Sequence, residues 1–138
     1  MEFIAREEFT KQPKEIQKIL FEYWKLNLSI GDPLLDGNDD ISIISNEEDI
    51  KLIKEEKWAH EYVTPLFTEG QLRSFIEEQV ESFIEVRQYD GKKYLYLYSE
   101  FFGECEQEFQ DLLGGYWQMA VRTAKIVVQC KNSLEKLT

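Results

Sequence analysis

The stretch Ile84-Glu85-Val86-Arg87-Gln88-Tyr89-Asp90-Gly91-Lys92-Lys93-Tyr94-Leu95-Tyr96-Leu97-Tyr98 decides the fold. Asp90-Gly91 suits the two central positions of a type I′ turn, whose twist matches that of the strands it joins. Placing Tyr89 opposite Lys92 fixes the register. Val86 then faces Leu95, and Ile84 faces Leu97. Side chains alternate between the faces of a strand, so these four are expected to share the core face. Phe83, Glu85, Arg87, Tyr94, Tyr96 and Tyr98 are expected on the opposite face. Three tyrosines in a row there admit two arrangements. Either a helix covers them, or they meet a partner or a second copy of the chain, since tyrosine combines a large apolar body with a polar tip.

Working back from the hairpin, Thr68-Glu69-Gly70-Gln71 has the spacing of a capping box. Leu72, Phe75, Ile76 and Val80 follow at helical spacing. Tyr62 to Phe67 should be extended, because a residue before proline avoids the α region. Asn46 is an expected N-cap, followed by the acidic first turn Glu47, Glu48 and Asp49, which complements the helix macrodipole. That helix is read to Trp58, with Ile50, Ile53 and Lys57 or Trp58 on its inner side. Asp36-Gly37-Asn38-Asp39-Asp40 reads as a turn between short extended pieces around Leu34-Leu35 and Ile41 to Ile44. A first long helix is read over Phe9 to Leu28. It carries Pro13 at its first position and Ile16, Ile19, Leu20, Tyr23 and Trp24 on one face.

Forward of the hairpin, Glu104 to Lys136 is read as mostly helix. Phe109, Leu112, Leu113, Tyr116, Ala120, Ala124 and Val127 form its apolar stripe. Gly114-Gly115 within it points to a kink or a close backbone approach. The sum is an α+β fold. About four helices pack on a small antiparallel sheet containing a β-hairpin, in a single domain over 1–138.

The chain has 138 residues and a net charge of −11, from 16 Lys and Arg against 27 Asp and Glu. Its 14% aromatic content suits a packed core, and its charge opposes broad binding to phosphate backbones. Basic residues gather locally at Lys11, Lys14, Lys18 and Lys25 and at Arg122, Lys125, Lys131 and Lys136, but carboxylates dilute both groups. The opening Met1 to Glu8 is charged and lacks an apolar core, so no signal peptide is expected. No stretch approaches the roughly 18 apolar residues of a membrane span. Cys105 and Cys130, read on one helix, would lie about 37 Å apart, beyond disulfide reach. Reduced thiols and a cytoplasmic location follow as expectations.

Catalytic chemistry finds little support. The single histidine, His60, reads as a surface or boundary residue near a helix end, and neither cysteine has a nucleophile context. No glycine loop suited to phosphate occurs. Asp36, Asn38, Asp40 and Glu47 fall at positions 1, 3, 5 and 12 of an EF-hand-like loop, but Ile41 stands where the sharp turn needs glycine. No catalytic, cofactor-binding or metal-binding residue is therefore assigned. A small metal-binding or metal-dependent module around Asp36–Glu47, with His60 nearby, stands as the alternative.

Carboxylates are dense at Asp36–Asp40, Glu47–Asp49, Glu77–Glu81 and Glu100–Asp111. Such rows can steer a chain toward a basic partner and fill a cleft that otherwise holds nucleic acid. The candidate partner-binding residues are Glu47, Glu48, Asp49, Glu77, Glu78, Glu81, Tyr94, Tyr96 and Tyr98.

Pro65-Leu66-Phe67-Thr68-Glu69-Gly70-Gln71-Leu72-Arg73-Ser74-Phe75-Ile76-Glu77-Glu78 resembles a segment recurring in small accessory proteins of Firmicute phages and prophages, a group with no defined activity or catalytic motif. Phe9 to Gln17, followed by Gly31-Asp32, is similar to their usual opening. Asp111 to Ala120 resembles their closing helix. The Asp36–Asp40 turn and the tyrosine ladder depart from that pattern. The resemblance implies an accessory protein acting in the cytoplasm of a bacterial host cell. The expected function is that of a non-enzymatic acidic interaction protein. It would bind, and in one form inhibit, a host nucleic-acid-handling or defence protein. The expected partner is a host or phage protein, not nucleic acid or a membrane. Trp58 and the tyrosine face would also suit a homodimer. A structural or virion-assembly role is the second alternative.

Overall fold

The computed structural model describes residues 2–100 and 102–137, leaving aside the side chains of His60, Lys136 and Leu137. The fold is α+β, with small antiparallel sheets and four helices of nine residues or more among the described residues. Contacts divide the chain into two compact units. One covers Phe3–Phe67, and the other covers 68–138 with the first two residues.

The 3–67 unit opens with a short helix α1 (Arg6–Thr10) and then α2 (Lys14–Leu26). The sequence suggested one helix from Phe9. Instead Pro13 sits just outside α2 with extended ψ of 149°, because its ring blocks helical continuation through the preceding residues. The Gln17 side-chain amide donates to the carbonyls of Thr10 and Gln12 and holds the break together. Ile16, Leu20, Phe21 and Trp24 are the buried face of α2.

Strands β1 (Pro33–Leu35), β2 (Ile41–Ile43) and β3 (Thr64–Pro65) form an antiparallel sheet in the order β2-β1-β3. The turn between β1 and β2 is organised by Asp36. Its carboxylate accepts from the backbone N–H of Asn38 (2.9 Å) and Asp40 (3.0 Å) and from the Ser42 hydroxyl (3.2 Å). Asp39 takes the left-handed region at φ 61°, which aspartate tolerates better than most residues. Arg6 pairs with Asp39.

Helix α3 (Glu47–Glu55) starts as expected: the Asn46 side chain accepts from the Asp49 N–H at 2.9 Å. It ends three residues short of Trp58, and a single turn α4 (Ala59–Tyr62) follows. Ile50 and Ile53 are buried, whereas Trp58 is not. Phe9 and Phe67 close this unit with ring centroids 6.0 Å apart.

The second unit begins with α5 (Glu69–Val80). Both arms of the Thr68/Gln71 capping box are formed, and Leu72, Phe75, Ile76 and Val80 are all buried. Glu81 ends the helix in the left-handed region at φ 54°. The hairpin of β4 (Glu85–Tyr89) and β5 (Lys92–Ser99) has the expected register, with Tyr89 opposite Lys92 and Val86 opposite Leu95. Leu95, Leu97 and Ile84 are buried. Val86 is 58% exposed, on the edge strand β4.

The reading of 104–110 as helix is overturned. Gly103–Phe109 is a third strand, β6, antiparallel to β5. Glu104, Glu106 and Glu108 point to one face, and Cys105, Gln107 and Phe109 to the other. Asp111 then caps α6 (Leu112–Leu137), its carboxylate accepting from the Gly114 N–H at 3.0 Å. Cys105 and Cys130 thus belong to different elements, so the separation along one helix does not apply; both are free thiols.

Helix α6 lies on the inner face of the sheet and against α5. Gly115 makes this packing: a Cβ there would stand 2.7 Å from Phe109 Cβ. At the edge of β6, Arg122 donates to the Glu106 carbonyl and to Gln107, and Gln107 donates to Gln118 at 2.7 Å. No described helix is long and apolar enough to cross a membrane.

Candidate functional site

With β6 in place, the tyrosine ladder gains a second column. Cross-strand partners share a face, so Tyr94 stands beside Glu108, Tyr96 beside Glu106, and Tyr98 beside Glu104. On the other side, Arg87 stands beside Tyr94 and Glu85 beside Tyr96. Tyr89 and Lys92 complete the outer face by alternation. Tyr98 is 58% exposed, and Tyr94 and Tyr96 are half-buried by their own neighbours.

The half-burial comes from contacts within the sheet. Tyr89 stacks on Tyr94 with centroids 4.5 Å apart and planes within 10°. The Arg87 guanidinium lies 3.4 Å above the centre of the Tyr96 ring and is held there by Glu85 at 3.1 Å. Each such cation–aromatic contact contributes about 0.5–1 kcal/mol at an exposed site. The Tyr89 hydroxyl donates to the Glu106 carboxylate. That bond, reinforced by desolvation and the nearby negative charge, pushes the Tyr89 hydroxyl from its ordinary value of 10.0 up to about 12. Tyr89, Tyr94, Arg87, Tyr96 and Glu106 thus brace one another within the sheet, whereas Tyr98 stands more exposed. The face carries four carboxylates, Glu85, Glu104, Glu106 and Glu108, against the cations Arg87 and Lys92.

The other residues singled out from sequence divide by setting. Glu81 joins Tyr98 and Glu100 around a surface cavity of about 520 Å³ at the end of the ladder. Glu78 is exposed on α5. Glu77 braces the fold instead. Its carboxylate accepts from the Ile84 N–H at 2.8 Å and from Arg73 at 3.4 Å, which ties the end of α5 to the start of β4. Glu47, Glu48 and Asp49 form the first turn of α3 in the 3–67 unit.

Asp36, Asn38, Asp40 and Glu47 make a turn and a helix start. The Asp36 carboxylate takes three hydrogen bonds within its own turn, and these, led by the one from Asp40, hold its carboxyl below the ordinary carboxylate range. Among the described residues no group of three or more His, Cys, Asp or Glu gathers as a metal ion would require. The His60 side chain lies outside the described residues.

Sequence reasoning missed Glu104, Glu106 and Glu108 as part of the aromatic face. The signal was present, since three glutamates at intervals of two suit a strand with one wet face. No protein-family model, no curated protein and no solved structure matches the chain.

Proposed function

We propose that this chain is a non-enzymatic interaction protein that binds a basic protein through the outer face of the β4-β5-β6 sheet. The observation that carries the reading is the paired column of Tyr94, Tyr96 and Tyr98 with Glu108, Glu106 and Glu104 on a face that no helix covers among the described residues. The tyrosines offer rigid contact area at low entropic cost. The glutamates, within a chain of net charge −11, supply attraction toward Lys and Arg. The three stretches that resemble phage and prophage accessory proteins suggest the setting. The partner would be a basic nucleic-acid-handling or defence protein in the cytoplasm of a bacterial host, occupied and inhibited by the acidic face.

The test is affinity capture from a bacterial lysate with the native chain and a Tyr96→Ala/Tyr98→Ala variant, at low and high salt. A defined basic protein should be retained by the native chain, released by salt, and lost on the variant. Equal capture by both chains sinks the assignment of this face, because exposed rim charges alone would survive the change.

A further inference from the structure

We propose that the 3–67 unit carries a separate pocket for one Lys or Arg side chain of a polypeptide, bounded by the Trp58 and Tyr62 rings and the carboxylates of Asp36 and Asp49. The cavity measures about 270 Å³. Its floor is the buried side chains of Leu34, Ile44 and Ile53. Its walls are Ile43, Leu52, Trp58 and Tyr62, which remain 42–56% exposed. Trp58 and Tyr62 face one another with centroids 6.2 Å apart and planes tilted by 55°. The turn after β1 backs the tyrosine so closely that a Cβ on Gly37 would sit 3.5 Å from its ring.

The charge of the lining selects the ligand. Asp36 and Asp49 are its acidic residues, and no described cation lines it. Arg6 is engaged by Asp39, while Lys51 and Lys54 stand exposed on α3 outside the lining. The Asp36 carboxylate takes three hydrogen bonds, which leaves one of its roughly four acceptor positions open. Its bonds also keep it ionised. At α3, the three carboxylates Glu47, Glu48 and Asp49 outweigh the roughly half positive charge of the helix start. An anion is repelled here, and a neutral apolar ligand would leave the negative charge of the lining unbalanced. A cation on an aliphatic stem satisfies both halves: the stem lies on Ile43 and Leu52, and the head meets the aromatic faces and the carboxylates. A free alkylamine would leave four half-exposed apolar walls in water, whereas a polypeptide main chain covers them. Exposed apolar walls around a small cavity mark a contact site more than a solvated surface.

This pocket stands on observations independent of the sheet face. The full chain is titrated with acetyl-Gly-Gly-Lys-Gly-Gly-amide, its Arg counterpart and its norleucine counterpart. The indole N–H resonance of Trp58 is followed by NMR. Trp24 and Trp117 are buried and serve as references within the same spectrum. The Lys and Arg peptides should shift the Trp58 signal and bind about tenfold more tightly than the norleucine peptide. Asp49→Asn and Trp58→Leu should each weaken the Lys peptide about tenfold, Trp58→Phe should retain most of the binding, and Tyr96→Ala should leave it unchanged. Trp58 is exposed and Asp49 half-buried, and unaltered circular dichroism verifies the fold of each variant. Equal binding of the norleucine peptide, equal binding by free butylguanidinium, or no Trp58 response at millimolar peptide overturns the proposal. Loss of capture by the Tyr96→Ala/Tyr98→Ala variant with an intact Trp58 titration separates this pocket from the sheet face.

Discussion

Substituting alanine at Gly115 should destabilise the protein and at Gly114 should not, although the two glycines are adjacent in α6. In a helix interior, alanine is favoured over glycine by about 1 kcal/mol. At Gly115 that gain meets a wall. The added methyl would lie 2.7 Å from Phe109 Cβ, 3.1 Å from Phe109 Cγ and 3.4 Å from Leu95 Cδ1. Phe109 Cβ is bonded directly to the main chain and cannot rotate away. Strand β6 must retreat by about 1 Å to restore an ordinary carbon–carbon contact. Overpacking of this kind costs about 1–3 kcal/mol, and a contact this close to the backbone belongs in the upper half of that range. The net expectation for Gly115→Ala is a loss of about 1–2 kcal/mol. At Gly114 the nearest atom is Asp111 Oδ2 at 3.2 Å, the mobile end of a capping side chain. It can shift by a few tenths of an ångström and still accept from the backbone. Gly114→Ala should therefore be neutral or stabilising by up to about 1 kcal/mol. Urea and thermal unfolding followed by circular dichroism measure both, and for a chain of this size each kcal/mol moves the midpoint by roughly 3–5 °C. A Gly115→Ala variant as stable as Gly114→Ala would refute the close helix–strand contact on which the second unit is built.

Two further outcomes follow from hydrogen bonds in the same unit. The Tyr89 value is raised in the folded state, so the contribution of its bond to Glu106 is complete below pH 10 and is lost as pH rises toward about 12. The difference between native and Tyr89→Phe phenolate absorbance should report this late titration, and Glu106→Gln should bring it back toward the ordinary value; a Tyr89 signal already complete near pH 10 in the native chain would remove the bond. Glu77→Ala leaves the N–H of buried Ile84 without its acceptor and should cost about 1–3 kcal/mol, while Glu77→Gln keeps an acceptor and should cost much less. Equal destabilisation of the two in urea titrations would mean that Glu77 acts by charge alone.

What could be read from the sequence was local. The Thr68/Gln71 box, the Asn46 cap and the Asp90-Gly91 register each depend on residues a few positions apart, and short-range chemistry settles them. Strand β6 was hidden because its inner face is Cys105, Gln107 and Phe109. Only the last is strongly apolar, so the alternation of period two was faint beside the long stripe that begins at Leu112. Val86 was assigned inward from alternation alone. Whether an inward side chain is covered depends on long-range packing, and β4 is an edge strand. The tyrosine ladder was visible, but its glutamate companions required the pairing of β6 with β5, a long-range fact. Nothing in composition marks the division of contacts at Phe67 and Thr68.

Among the described residues strand β4 has one neighbour, β5, and all five of its residues are exposed. Its free margin is a row of amide groups able to template another strand, the usual start of edge-to-edge aggregation. Two copies meeting head-to-tail about the middle of β4 would set Arg87 against Arg87, at a distance where like charges repel. The same guanidinium that braces Tyr96 thus also guards the border of the sheet against its own kind.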